Sequence, residues 1–214
     1  MITLMLAAAV ATSPPPSPTP PNPCNPAASC RYVTDVVVHD DKGLVSKTAV
    51  NAWAPFAQDG KLRLFPGELV TLRLAPTGEL SVIAFARPEH APIDQQTKQE
   101  VHDRARDDAL LSAEPDNAMV PSQDEILVFF GQLDETQQSV LRVQNGYGKA
   151  LSYKAYLADG RGGMKPTTVC PIRPKGGGIE GWNDAQRAIL LTEFKLTDRG
   201  DERVILAECD NGAS

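Results

Sequence analysis

The stretch that decides the fold is VLRVQNGYGKALSYKAYL, residues 140–157. Its second half, 151–157, alternates apolar and polar side chains, which is the period of a strand buried on one face. Before it, Asn145-Gly146 is a dipeptide that readily supplies the positive φ angles of a two-residue hairpin turn. The sequence therefore predicts a β-hairpin with arms at 140–144 and 151–157, and with it an antiparallel sheet.

Strand signals of the same kind recur on both sides of this stretch. The segment 125–130 is apolar on both faces, which indicates a central strand, and 70–74 is the clearest half-buried one. Further strands are expected at 31–39, 48–53, 61–64, 80–86, 188–197 and 202–208. About ten short strands with regular turn signals predict a mainly β fold, an antiparallel β-sandwich that is immunoglobulin-like in general architecture, with a barrel as the alternative.

One segment departs from this pattern. Residues 94–113 read DQQTKQEVHDRARDDALLSA, in which helix formers carry only a thin apolar stripe. Glu100 and Arg104 stand four residues apart, a spacing that supports a helix through side-chain pairing. We expect one polar surface helix inserted between strands, with partial disorder as the alternative.

The N-terminal residues indicate export. Ile2–Val10 is an apolar run too short to span a bilayer, and Ala9-Val10-Ala11 offers the small residues that a signal peptidase requires. We expect a signal peptide at 1–11, although an apolar N-terminal strand is the alternative. Residues 12–30 then form a Pro-rich tether with a short Cys loop, and 31–214 form a single β-sandwich domain.

The chain has four cysteines, and an even number in an exported chain favours disulfides. Four cysteines allow three pairings, of which we expect the local one, Cys24 with Cys30 and Cys170 with Cys209. A zinc site is the alternative, but the CxxC spacing is absent.

Charge and hydropathy exclude some classes of protein. The formal net charge is -6, which argues against nucleic-acid binding because a phosphate backbone requires a basic surface. No segment after the N-terminal run is apolar for long enough to anchor the mature chain in a membrane. We therefore expect a periplasmic or secreted protein.

No catalytic, cofactor or metal motif stands out. Gly-x-Ser-x-Gly and Ser-x-x-Lys are absent, Gly148-Lys149 lacks the following hydroxyl of a phosphate loop, and the three histidines have no metal-ligand spacing. The run Gly176–Gly178 is typical of a flexible loop, with an anion site as the alternative. We expect no catalytic residues, no cofactor and no metal.

Two short patterns are candidate binding surfaces. Glu180 and Trp182 flank Gly181. An exposed Trp beside a carboxylate is a candidate to stack on a sugar or on a partner side chain. The alternative is a Trp that closes the open end of the sandwich. Arg199, Gly200 and Asp201 form a cell-attachment tripeptide at an expected hairpin tip, where the same residues also serve as ordinary turn formers.

The absence of recognisable chemistry leads to a hypothesis about function. We expect an exported, non-catalytic β-sandwich that serves as a binding or structural module of the cell envelope, with an unidentified envelope protein or a glycan as partner. The alternative is a secreted or periplasmic hydrolase acting on glycans, whose acid and base carboxylates a single sequence does not pair.

Overall fold

The computed structural model describes residues 21–24, 30–39, 45–86, 121–132, 138–158 and 163–198. These residues form strands and turns and contain no helix, hence none long and apolar enough to cross a bilayer. The strands are β1 Cys30–His39, β2 Val45–Pro55, β3 Ala57–Gln58, β4 Lys61–Leu64, β5 Glu68–Leu74, β6 Leu80–Ala86, β7 Ile126–Gln132, β8 Ser139–Asn145, β9 Ala150–Ala158, β10 Met164–Thr167, β11 Gly177–Trp182 and β12 Ile189–Thr197.

The strands make three antiparallel sheets. β1 and β2 pair with each other as a separate two-stranded sheet, and they include the strands expected at 31–39 and 48–53. One five-stranded sheet has the order β10-β9-β12-β4-β3, and we call it the β9 sheet. The other has the order β11-β8-β7-β5-β6, and we call it the β8 sheet. The prediction of a mainly β, antiparallel fold is confirmed, and the expected helix at 94–113 lies outside the described residues.

Alternation along the strands explains how the two five-stranded sheets pack. In β5, Val70, Leu72 and Leu74 are buried while Thr71 and Arg73 are more exposed, as the sequence indicates. Both sheets contribute such residues to one hydrophobic core, which gives a sandwich-like arrangement. The core includes Leu62, Leu64, Val70, Leu72, Ile126, Val128, Phe130, Leu141, Val143, Leu151, Ile189 and Leu191.

The predicted hairpin across Asn145-Gly146 is wrong. β8 pairs with β7 and β11, whereas β9 pairs with β10 and β12, so the connection between them crosses from one sheet to the other. The sequence predicts these strands correctly because alternation is a local pattern. It does not predict which strands pair, because pairing depends on partners far away in the sequence.

Contacts of the connection itself show why it does not close a hairpin. Asn145 Nδ2 donates to the carbonyl oxygens of Lys149 at 2.8 Å and of Arg173 at 2.9 Å. Gly146 N–H donates to the Glu125 carbonyl at 2.7 Å. Gly146 does not have a positive φ; a Cβ there would stand 2.3 Å from the carbonyl oxygen of Ser122. This glycine therefore permits a close approach of two backbones rather than a turn.

The glycine run at 176–178 is only partly a loop. β11 begins at Gly177, which lies opposite Gln144 of β8, so the prediction of a flexible loop is wrong for Gly177 and Gly178. A Cβ at Gly178 would stand 2.3 Å from Cδ1 of Ile172, a buried core residue. A larger residue at Gly178 would therefore require the end of the Ile172 side chain to shift.

Candidate functional site

A cavity of about 560 Å³ opens at the side of the β9 sheet. Three parts of the chain surround it: the turn between β3 and β4, strands β9, β10 and β12, and Gly78 of the β5–β6 turn. Its volume lies within the range of about 300–1,000 Å³ that is usual for ligand sites. Its lining includes the side chains of Asp59, Lys61, Tyr156, Leu190, Thr192 and Glu193.

The β3–β4 turn fixes Asp59 at the edge of the cavity. Gln58 pairs with Lys61, and Asp59 and Gly60 between them have φ values of 52° and 70°. Two successive positive φ values are the geometry of the two-residue hairpin turn for which Asp-Gly is preferred. The exposed carboxylate of Asp59 is therefore held by a rigid turn rather than by a long loop.

A β-bulge in β12 places Glu193 at the same cavity. Thr192 lies opposite Lys154, and Lys195 lies opposite Ser152. Between these two pairs, Glu193 and Phe194 of β12 face the single residue Tyr153 of β9. Glu193 has φ 55°, a left-handed conformation that costs a residue with a side chain roughly 1–2 kcal/mol. Such bulges redirect side chains and are frequent next to functional sites.

The bulge separates two neighbouring side chains of β12. Phe194 is buried and stacks on Tyr153, with ring centroids 5.8 Å apart. Glu193 is exposed, and its Oε2 lies 2.9 Å from Nζ of Lys154. The hydrogen bond to Glu193, together with its negative charge, raises the pKa of Lys154.

An apolar surface lies between these polar groups. Tyr156 of β9 is directly opposite Leu190 of β12 on one side and Pro166 of β10 on the other. Tyr156 and Leu190 alternate with the buried Ala155 and Leu191, so they occupy the face of the sheet away from the core. Both are half-buried, which leaves part of each available to a ligand.

The predicted pair Glu180 and Trp182 lies elsewhere, on the core side of β11. Glu180 is opposite Leu141 and Trp182 opposite Ser139, and the face they share packs against the core. Nε1–H of Trp182 donates to Oγ1 of Thr167 at 2.8 Å, and Trp182 is half-buried. The Trp182 side chain therefore connects β11, an edge strand of the β8 sheet, to β10, an edge strand of the β9 sheet.

Glu180 has a structural partner and an electrostatic one. Its Oε1 accepts a hydrogen bond from the backbone N–H of Cys170 at 2.9 Å. Its negative charge also acts electrostatically on the buried phenol of Tyr153. Burial, and secondly the charge of Glu180, raise the pKa of Tyr153 far above its usual value of 10.0.

The cysteines are in the disulfide state wherever the structure describes them. Cys24 is bonded to Cys30 with a Cα–Cα distance of 6.0 Å, which confirms that predicted disulfide. Cys170 is also disulfide-bonded, and its expected partner Cys209 lies outside the described residues. Such a bond is compatible with an extracytoplasmic location. The tripeptide Arg199, Gly200 and Asp201 also lies outside the described residues.

Neither a metal-binding cluster nor a similar protein identifies the function of the site. Within the described ranges, no group of three His, Cys, Asp or Glu side chains is arranged to hold a metal ion. No protein-family model, curated protein or solved structure matches the chain. The fold and the cavity therefore define the class: an antiparallel, disulfide-bonded β protein with an open, ligand-sized cavity on one sheet.

Sequence reasoning missed both carboxylates of the cavity. Asp59-Gly60 is a strong hairpin dipeptide between two short strands, so the turn itself was open to prediction. The bulge at Glu193 leaves no mark in the sequence, because the residue that adopts the left-handed conformation is not Gly or Asn.

Proposed function

We propose that the chain is an exported, non-catalytic β-sandwich of immunoglobulin-like general architecture that serves as a binding or structural module of the cell envelope. The disulfide between Cys24 and Cys30 supports export, because such bonds persist in oxidising compartments. The two-sheet core supports a rigid scaffold.

The observation that carries the binding role is the open cavity beside Asp59, Tyr156 and Glu193. Its residues come from a two-residue turn and from paired strands, not from long loops, so the site is held in shape before a ligand arrives. Preorganisation of this kind reduces the entropy lost on binding.

Two further carboxylates of the described residues, those of Glu68 and Glu180, favour a structural role over catalysis. Glu68 binds Arg31, and Glu180 binds the backbone amide of Cys170. A general acid or base has to exchange a proton with its substrate, and these groups are engaged with the protein itself.

One observation favours the second candidate, a hydrolase acting on glycans. Asp59 and Glu193 line the same cavity, and a pair of carboxylates facing one ligand is the arrangement that glycoside hydrolysis requires. Against catalysis, Glu193 already forms an ion pair with Lys154, so this carboxylate is engaged with the protein itself.

A sedimentation assay on isolated envelopes tests the proposal and separates the two candidates. The purified mature chain is mixed with cell-wall and membrane fractions of the native host, and bound protein and released reducing sugar are both measured. We expect saturable co-sedimentation without sugar release. Release of sugar that stops in Asp59→Asn and Glu193→Gln variants would establish the hydrolase instead. If the chain neither binds the envelope fractions nor releases sugar from them, the binding role is refuted.

A further inference from the structure

We propose that the cavity between the Asp59–Gly60 turn and the β12 bulge is a binding site for a neutral oligosaccharide. This inference rests on the binding role proposed above and names its ligand class. It follows from three properties of the site: an apolar floor, a rim that carries charges of both signs, and an open shape.

The floor suits the carbon-bound face of a sugar ring. Tyr156 and Leu190 lie opposite each other on adjacent strands, on the face of the β9 sheet away from the core. Met164 of β10 also contributes to the wall. A sugar ring has one or two faces of C–H groups, and these pack against an aromatic or aliphatic surface while the hydroxyls remain at the periphery.

The rim suits the hydroxyl groups. Asp59 and Glu193 offer carboxylate acceptors, Lys61 offers an ammonium donor, and Thr192 offers a hydroxyl. A sugar hydroxyl donates one hydrogen bond and accepts others, so it satisfies carboxylates and ammonium groups at the same time. Hydrogen bonds to charged groups are also stronger than those between neutral partners.

The balance of charge indicates that the sugar is neutral. Asp59 and Glu193 are opposed by Lys61 in the lining and by Lys154, which is paired with Glu193. Arg63 is exposed and lies opposite Leu190 on the adjacent strand β4, so neither sign exceeds the other by more than one charge. A surface with near-equal charges of both signs gives neither an anion nor a cation a net attraction. Because the cavity is open to solvent, an oligosaccharide chain has room to continue beyond the ring that occupies it.

NMR titration of the isotope-labelled chain tests the site. Cellohexaose, maltohexaose and hexa-N-acetylchitohexaose are the neutral probes, and a polygalacturonate hexamer is the acidic one. We expect at least one neutral hexamer to bind saturably, with the largest amide shifts at 59–61 and 190–193. The acidic hexamer should bind at least about tenfold more weakly, a difference of about 1.4 kcal/mol.

Two matched aspartates locate the interaction. Asp59→Asn keeps a residue that tolerates positive φ and should raise Kd by about fivefold to tenfold, because a charge-assisted hydrogen bond becomes a neutral one. Asp124→Asn is the control, since Asp124 is also an exposed aspartate with positive φ, at 61°, and does not line the cavity. Its Kd should equal that of the parent.

Removal of the floor provides an independent test. Tyr156→Ala should raise Kd by at least about tenfold. If it perturbs the fold, Tyr156→Leu keeps apolar volume but loses the flat ring, and should also weaken binding. Binding by none of the neutral hexamers, or equal binding by every cavity variant, would overturn the saccharide site. The sedimentation assay alone would then decide whether the chain binds the envelope.

Discussion

The guanidinium of Arg31 and the carboxylate of Glu68 form a two-pronged ion pair inside the protein. Arg31 Nε donates to Glu68 Oε1 at 2.8 Å, and Nη2 donates to Oε2 at 2.7 Å. The same guanidinium donates to the carbonyl oxygens of Ala54, Pro55 and Arg63. The first strand of the β1–β2 hairpin is thereby fixed to the ends of β2 and β4 and the start of β5.

We predict that loss of one partner of this pair is strongly destabilising. The side chains are 5% and 0% exposed, so Glu68→Gln leaves a buried guanidinium without its counter-charge. Such a change typically costs about 3–5 kcal/mol of the free energy of unfolding. Urea denaturation followed by circular dichroism measures this free energy.

An exposed ion pair provides the control for that experiment. Lys149 and Asp198 lie 3.0 Å apart, but both side chains are more than half exposed. Asp198→Asn should therefore change the free energy of unfolding by less than about 1 kcal/mol. Similar losses in Glu68→Gln and Asp198→Asn would show that the buried pair does not hold the hairpin in place.

Local patterns predicted the strands but not the contacts that join them. The alternation in β5 and the apolar run of β7 are set by neighbouring residues, and the structure confirms both. The ion pair joins residues 37 positions apart, and nothing in the sequence around Arg31 distinguishes it from a surface arginine. The sheet partners of β8 and β9 are long-range in the same way.

The candidate site was less predictable than the fold. A Trp beside an acid predicts a binding surface at Glu180 and Trp182, yet both residues take part in contacts within the sandwich. Asp59 and Glu193 reach their cavity through backbone geometry, a turn and a bulge. Side-chain chemistry alone does not reveal which residues the backbone brings to one place.

The Asn145–Gly148 connection contains its own matched pair of glycines for a stability test. A Cβ at Gly146 would stand 2.3 Å from the Ser122 carbonyl oxygen and 2.7 Å from that of Glu125. We therefore expect Gly146→Ala to destabilise the protein by roughly 1–3 kcal/mol, since the backbone has to move. Thermal unfolding with a van't Hoff analysis gives the difference.

Gly148 is the control two residues away. No atom lies within 4 Å of the position of an added Cβ there, and its φ is not in the left-handed range. Gly148→Ala should be neutral or stabilising by up to about 1 kcal/mol, because it restricts the unfolded chain. A destabilisation equal to that of Gly146→Ala would contradict the close backbone approach at Gly146.

The disulfide between Cys24 and Cys30 and the expected one between Cys170 and Cys209 should differ in their contribution to stability. Cys24–Cys30 closes a loop with a sequence separation of only 6, in a segment that prolines already stiffen. Replacement of Cys170 and Cys209 by Ala should cost on the order of 2–5 kcal/mol, several times the cost of replacing the first pair. Equal shifts of the urea midpoint would contradict this order, and a parent chain in which all four cysteines react as free thiols would refute both disulfides.

The buried phenol of Tyr153 should lower the free energy of unfolding at alkaline pH. The phenol is buried against Phe194, and its burial, reinforced by Glu180, raises its pKa above the usual value of 10.0. In the unfolded chain the phenol loses its proton near that usual value, while the folded protein retains it. The folded state then binds more protons, so the free energy of unfolding falls as the pH rises above about 10. Below that pH, Tyr153 makes no pH-dependent contribution.

We predict that Tyr153→Phe removes most of this alkaline loss. Above pH 10 the parent should lose up to about 1.4 kcal/mol per pH unit through this one group, whereas the variant has no phenol to ionise there. Urea denaturation at half-unit steps from pH 8 to 11.5 measures both slopes, and tyrosinate absorbance shows whether ionisation accompanies unfolding. Parallel slopes for the parent and the variant would disprove the link, as would a full complement of tyrosinate in the folded protein. A steeper fall in the parent, with one tyrosine ionising only as the chain unfolds, is the expected result.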